Sequence, residues 1–207
     1  MSFLKKLFGS SCEEVWQEFA SEIGGEFADG EGRLSPSVRF DIDGWPATLS
    51  WRGRGETGTI TYVVAAFKPE NMFEFHITPA GLIELGRDVS VGDEGFDSAF
   101  VVESDNEEQV RALLDDDELR GRLLAEKPRH VYTAAASMFF SAFDEVDCPE
   151  VVAHDPNLAV AVVEHNGVVD KIERLLGSVD LAAVTIEQLV SIGCASAEPP
   201  QLPHEKE

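Results

Sequence analysis

The sequence predicts an α+β fold: an antiparallel sheet covered by an N-terminal helix and by short helices that follow the sheet. Three observations carry this. Near the N-terminus, apolar residues recur every three to four positions, the period of one helix face. From Arg33 to Thr78 the period falls to two, with spacers too short for helical crossovers. After Ser104 the helical period returns.

The first helix rests on Val15, Trp16, Phe19, Ala20 and Ile23, which share one face. Ser10 and Ser11 precede Glu13 and Glu14 at capping-box spacing, and Gly24-Gly25 supplies a stop. Four strands are expected next, at 37–43, 46–53, 57–67 and 72–78, each bounded by Gly, Pro or Asn. The spacers at Asp43-Gly44 and at 53–58 read as hairpin connections. Residues 81–91 and 96–104 are each expected to add a strand. Ser104 and Glu107 have capping-box spacing ahead of Val110, Leu113 and Leu114, and "DDDELRGRLLAE" opens a second short helix. Residues 131–143 fit either a helix or a strand. Residues 157–167 read as a strand ending in an Asn-Gly turn, and 168–176 and 181–190 as two helices.

This gives an arm at residues 1–9, an α+β domain at 10–194 and a tail at 195–207. Residues 129–194 either extend the sheet or form a second small lobe. The tail holds three prolines and shows no apolar period, so disorder is expected there.

Composition narrows function by exclusion. The chain has 207 residues and a net charge of −23, so its surface repels phosphate backbones and nucleic acid is not an expected partner. Cys12, Cys148 and Cys194 are few, odd in number and widely spaced, which fits a reducing, cytoplasmic setting without zinc. No apolar run reaches the length of a membrane span.

The densest patterned stretch is "GDEGFDSAFVVESDNEEQVRALL", 92–114. Its structural reading makes Gly92 and Gly95 a turn, gives Asp93 and Asp97 to local backbone N–H groups, buries Phe96 and Phe100, and lets Ser104 cap the next helix. The alternative gives Asp93, Glu94 and Asp97 to a divalent cation or to acid–base chemistry, with His76 or His130 brought near by folding. A calcium-loop pattern is missing. At 115–118 the acids fit a helix start, with Asp116 or Asp117 as N-cap. His154-Asp155, with Cys148 or Ser141 nearby in sequence, lacks a nucleophile elbow. The glycine-rich stretch 53–58 lies between two expected strands and opens no helix, so it reads as a hairpin loop and not a phosphate cradle, with Arg52 and Arg54 able at most to meet an acidic partner weakly. On a helix, Phe3, Leu4, Leu7 and Phe8 would lie opposite Lys5 and Lys6, a short amphipathic segment suited to a partner groove or a lipid surface.

The run Gly92, Asp93, Phe96, Asp97, Phe100, Val102, Ser104 and Asp105, followed by a short "LL" helix, resembles a "GDxxFDxxFxVxSxD" motif of a family of uncharacterised bacterial proteins. The likeness spans about residues 16–124. It implies a domain of unknown function, some of whose members sit beside membrane segments, and no activity.

The expected function is a non-enzymatic protein-binding or scaffolding module that needs no cofactor, acting through an unknown protein partner or self-association. The alternatives are a metal-dependent enzyme using Asp93, Glu94 and Asp97, or peripheral membrane attachment through residues 3–8.

Overall fold

One eight-stranded sheet, antiparallel at every junction, organises the computed structural model. The described residues are 12–30, 35–53, 58–81, 88–141, 155 and 157–201. In chain order the elements are α1 (Cys12–Ile23), β1 (Glu26–Ala28), β2 (Ser37–Ile42), β3 (Trp45–Gly53), β4 (Thr59–Phe67), β5 (Phe75–Pro79), α2 (Glu94–Ala99), β6 (Phe100–Ser104), α3 (Glu107–Leu114), α4 (Asp117–Glu126), β7 (His130–Ala135), α5 (Ala136–Ser141), β8 (Ala159–Asn166) and α6 (Ile172–Ser191). The sheet order is β1-β2-β3-β4-β8-β7-β5-β6. Strands β7 and β8 therefore enter the sheet and extend it.

The two faces of the sheet are covered differently. On one, Val38, Phe40, Leu49, Val63, Ala65, Ala161, Val163, Val131, Ile77 and Val102 form the main core with α1, α2, α3, α4 and α6. Helix α6 lies over the central strands β4 and β8, and α1 packs against α6 and β2. The Trp16 indole N–H donates to the Val169 carbonyl at 2.9 Å, and Phe19 meets Phe40 edge to face. On the other face a smaller core joins Tyr62, Val64, Ala66, Val160 and Val162 to Ala136 and Phe139 of α5. Alternation along β4 and β8 sends successive side chains into these two cores.

Glycine stops α1 as its sequence suggests. Gly24 has φ +70, and the Gly25 N–H closes onto the Ala20 carbonyl at 2.8 Å. Gly25 also lies against β2, where a side chain would meet the Arg39 carbonyl.

Several expectations are corrected. Residues 96–104 are not one strand: Phe96 to Ala99 belong to α2, because Asp93 caps it by accepting the Phe96 N–H at 3.0 Å, and β6 begins only at Phe100. Gly95 consequently lies in the first turn of α2, while Gly92, at φ +88, turns the chain just before it. Of the strand expected at 81–91, residues 82–87 lie outside the described residues. Asp88 to Val91 form no strand, although Val89 N–H donates to the Val102 carbonyl at 2.8 Å. Asn106, not Ser104, caps α3; Ser104 instead accepts the Asn106 N–H and donates to the Glu74 carbonyl. Residues 131–143 are both things in turn, β7 and then α5. The two helices expected after Gly167 are one, of 20 residues, running through Gly177, which lies against the Glu126 carboxylate of α4.

The tail is placed as far as Gln201. Ala195 and Ser196 are buried, Ser196 N–H donates to the Lys68 carbonyl, and Pro199 lies over Gly44. Short apolar and small side chains hold it despite its prolines. Residues 3–8, Ser10, Ser11, Arg54, Cys148 and His154, singled out in the sequence, lie outside the described residues. Among the described residues, no helix is long and apolar enough to cross a membrane.

Candidate functional site

Ionisable groups converge at one end of the central strands, on the face that carries the smaller core. In register, Tyr62 of β4 stands opposite Glu164 of β8, and Glu164 stands opposite His130 of β7. One strand further on, Tyr132 pairs with His76 of β5, and His76 with Glu103 of β6. Cross-strand partners share a face, so this register alone places six polar side chains side by side.

Arg52, at the end of β3, reaches across to Glu164. Its Nη2 lies 3.0 Å from Glu164 Oε1, and the residues are 4% and 1% exposed. The Tyr132 hydroxyl donates to the same oxygen at 3.0 Å, and the Arg52 guanidinium lies 5.8 Å from the centre of the Tyr62 ring. A buried carboxylate is tolerated there because two donors, one of them charged, meet it.

Beside this pair, His76 Nε2 lies 3.0 Å from His130 Nδ1, with the ring centres 4.7 Å apart. Thr78 Oγ1 lies 3.2 Å from the same His130 nitrogen. Burial pushes His76 below its ordinary pKa, against the opposing pull of Glu103 and Glu164. Folding thus does bring His76 and His130 together, but with Arg52, Tyr132 and Glu164 rather than with the acids of the 92–97 motif.

Those acids bind their own loop. Asp97 accepts from Val91 N–H at 3.0 Å, Gly92 N–H at 3.1 Å and the Ser90 hydroxyl at 2.6 Å. Burial opposes ionisation of Asp97, but the three hydrogen bonds and the charge of Arg111 outweigh it and lower its pKa. Asp93 caps α2 and lies 3.6 Å from Arg120 of α4, while Glu94 is exposed. Phe96 and Phe100 are buried in the main core with their rings 5.2 Å apart. Asp116 caps α4, accepting the Leu119 N–H at 2.7 Å. Among the described residues, no group of three or more His, Cys, Asp or Glu is placed to hold a metal ion.

A serine and a histidine do meet on the opposite face. Ser178 Oγ of α6 lies 2.9 Å from His165 Nε2 and 2.7 Å from the Arg174 carbonyl. The carbonyl can only accept, so the serine proton goes there and its oxygen accepts from His165 Nε2–H. That direction is opposite to the one a base needs to activate a nucleophile. Burial, aided by the charge of Arg174, holds His165 down to about 4, so the ring is neutral near pH 7. The thiol of Cys12 is held in its protonated form: burial, then Asp170 and Glu13, raise its pKa.

Sequence reasoning missed Arg52, Tyr132 and Glu164 as a set. One signal was present: Glu164 is the single acid in "AVAVVEHN", a strand otherwise apolar until its end.

No known family model and no curated protein sequence matches the chain. Its fold is similar to the crystal structure of the mycobacterial trehalose monomycolate transport factor A, TtfA, with a TM-score of 0.58 and 10% identity over 90% of this chain and 98% of that one.

Proposed function

We propose that the chain is a non-enzymatic protein-binding or scaffolding module that acts as an accessory factor in the cytoplasm. One observation carries this reading: the groups best suited to chemistry are bonded to one another in ways that build the fold. Glu164 is held by Arg52 and Tyr132, His76 by His130, Asp97 by three local donors, and Ser178 donates away from its histidine. The fold likeness to a protein described as a transport factor supports an accessory role, and the resemblance of the 92–105 motif to an uncharacterised bacterial family fits the same reading.

Calorimetry with Mg²⁺, Mn²⁺ and Ca²⁺ at millimolar concentration tests the competing metal enzyme. The proposal expects no binding heat. Heat that disappears in Asp93→Asn would overturn it. Light scattering over a concentration series, with cross-linking of the full chain in cells, then separates self-association from a partner. Asp97→Asn should lower the melting temperature while the cross-linked species persists.

A further inference from the structure

The β5–β7 junction is the shortest in the sheet. It has two register pairs, His76 with Tyr132 and Ile77 with Val131, where the neighbouring β7–β8 junction has six. Within the sheet, β5 and β6 are joined to the central strands through this seam. The hydrogen bond between His76 and His130 lies across it, diagonal to the register.

The proton count of that bond is constrained. At 3.0 Å, one nitrogen must donate and the other accept. A neutral pair satisfies this. A pair carrying one extra proton satisfies it too, because the imidazolium still donates to a neutral ring. With two extra protons, both facing nitrogens are donors, and the rings must separate. We propose that the His76–His130 bond is an acid-sensitive latch on the β5–β7 seam, holding with zero or one added proton and releasing with the second.

The groups around it set when that happens. Glu103 faces His76 from β6; Glu164 faces His130 from β8 and is itself bound by Arg52 of β3. Tyr132 stands beside His76 on β7, and Arg129 directly precedes His130. The two carboxylates favour the first proton. Burial of His130 and repulsion between two imidazolium rings oppose the second, so the pair titrates in two separated steps. The fold binds the second proton less readily than the unfolded chain, so the seam loses stability as the pH falls. This device goes beyond the binding role proposed above and does not depend on it.

Hydrogen exchange on the full chain at pH 7.5 and 4.5, corrected for intrinsic rates, tests the latch. Amides of β5 and β7 should exchange about tenfold faster at pH 4.5, measured relative to β3 and β4 in the same sample. His76→Phe keeps a ring but cannot be protonated, and its β5 and β7 amides should show no such relative change. An equal change in the variant, or none in the unsubstituted chain, would overturn the proposal. If His76→Phe does not fold, imidazole NMR on the unsubstituted chain decides. Two steps, with seam protection lost at the second, support the latch; both rings fully protonated with the seam still protected refute it.

Discussion

Replacing Glu164 with Gln, Arg52 with Met, and then both together measures how the buried pair is wired into the fold. At 3.0 Å and an effective dielectric near 20, the charge–charge attraction is about 5 kcal/mol, and burying each ion costs several kcal/mol in lost hydration. The net worth of the intact pair is therefore near zero. Removing one member is different, since it leaves a charge at a site that is 4% or 1% exposed without the partner that offsets its desolvation. Each single substitution should cost about 3 kcal/mol or more, a large part of a total stability of about 5–15 kcal/mol. Gln keeps an oxygen for the Tyr132 hydroxyl, and Met keeps apolar bulk over the Tyr62 ring. The double variant should then lie within about 1–2 kcal/mol of the unsubstituted chain. Urea unfolding followed by far-UV circular dichroism, with the same m-value in all four proteins, gives the cycle. Additivity of the two single effects within about 0.5 kcal/mol would show that the pair does not act as one unit and would refute the reasoning.

Three further outcomes are expected. His165, 1% exposed and held down to about 4, binds a proton in the unfolded chain near pH 6.5 but not in the fold. Its neutral form therefore costs the chain about 2 kcal/mol of stability on going from pH 7.5 to pH 5, and His165→Gln should abolish that portion in urea unfolding at the two pH values. Gly25→Ala would place a Cβ 2.7 Å from the Arg39 carbonyl, so α1 or β2 must shift; a loss of about 1–3 kcal/mol is expected, and an unchanged melting temperature would contradict the close packing. Asp97→Asn puts an amide N–H₂ either where the Val91 amide donates or where the Ser90 hydroxyl and the Gly92 amide donate, and should cost about 1–2 kcal/mol in thermal unfolding near neutral pH. The Asp97 contribution is present above the unfolded carboxylate range and disappears as the pH falls through its lowered native value, so the difference between variant and parent should shrink in acid.

The parts of the fold visible in the sequence are those governed by near neighbours. Val15, Trp16, Phe19 and Ala20 report α1 because a helix repeats within one turn, and β2 to β5 follow from alternation. Errors arise where a single side chain decides a boundary. Asp93 captures the Phe96 N–H and makes helix out of residues whose composition suits a strand, and Asn106 displaces Ser104 by reaching Gln109 N–H. Gly177 divides the apolar pattern of α6 in two, yet the helix continues because the residue lies against α4. The candidate site was the least legible part. Arg52 and Glu164 are 112 positions apart, and their meeting depends on β8 inserting beside β4, a pairing that local pattern does not encode.

The direction of β8 accounts for where the polar groups gather. It begins with Ala159 and Val160, apolar toward both faces, and ends with Glu164 toward one face and His165 toward the other. Its neighbours match it at that end. Thr61 and Tyr62 lie opposite on β4, His130 opposite on β7, and Thr61 Oγ1 closes the Asn166-Gly167 turn by donating to the Gly167 carbonyl and accepting the Val169 N–H. The sheet is thus apolar through its thickness at one end of its central strands and hydrogen-bonded through its thickness at the other. Apolar burial is indifferent to pH, whereas the opposite end holds Glu164, His165, His130 and, through Glu164, Arg52. Acid should therefore act on this fold from one end. Protection at Ala159 to Ala161 and at their β4 partners Phe67 to Ala65 should outlast protection at Val163 to His165 as the pH is lowered. Simultaneous loss along the whole of β8 would show that the two ends are coupled more tightly than their chemistry requires.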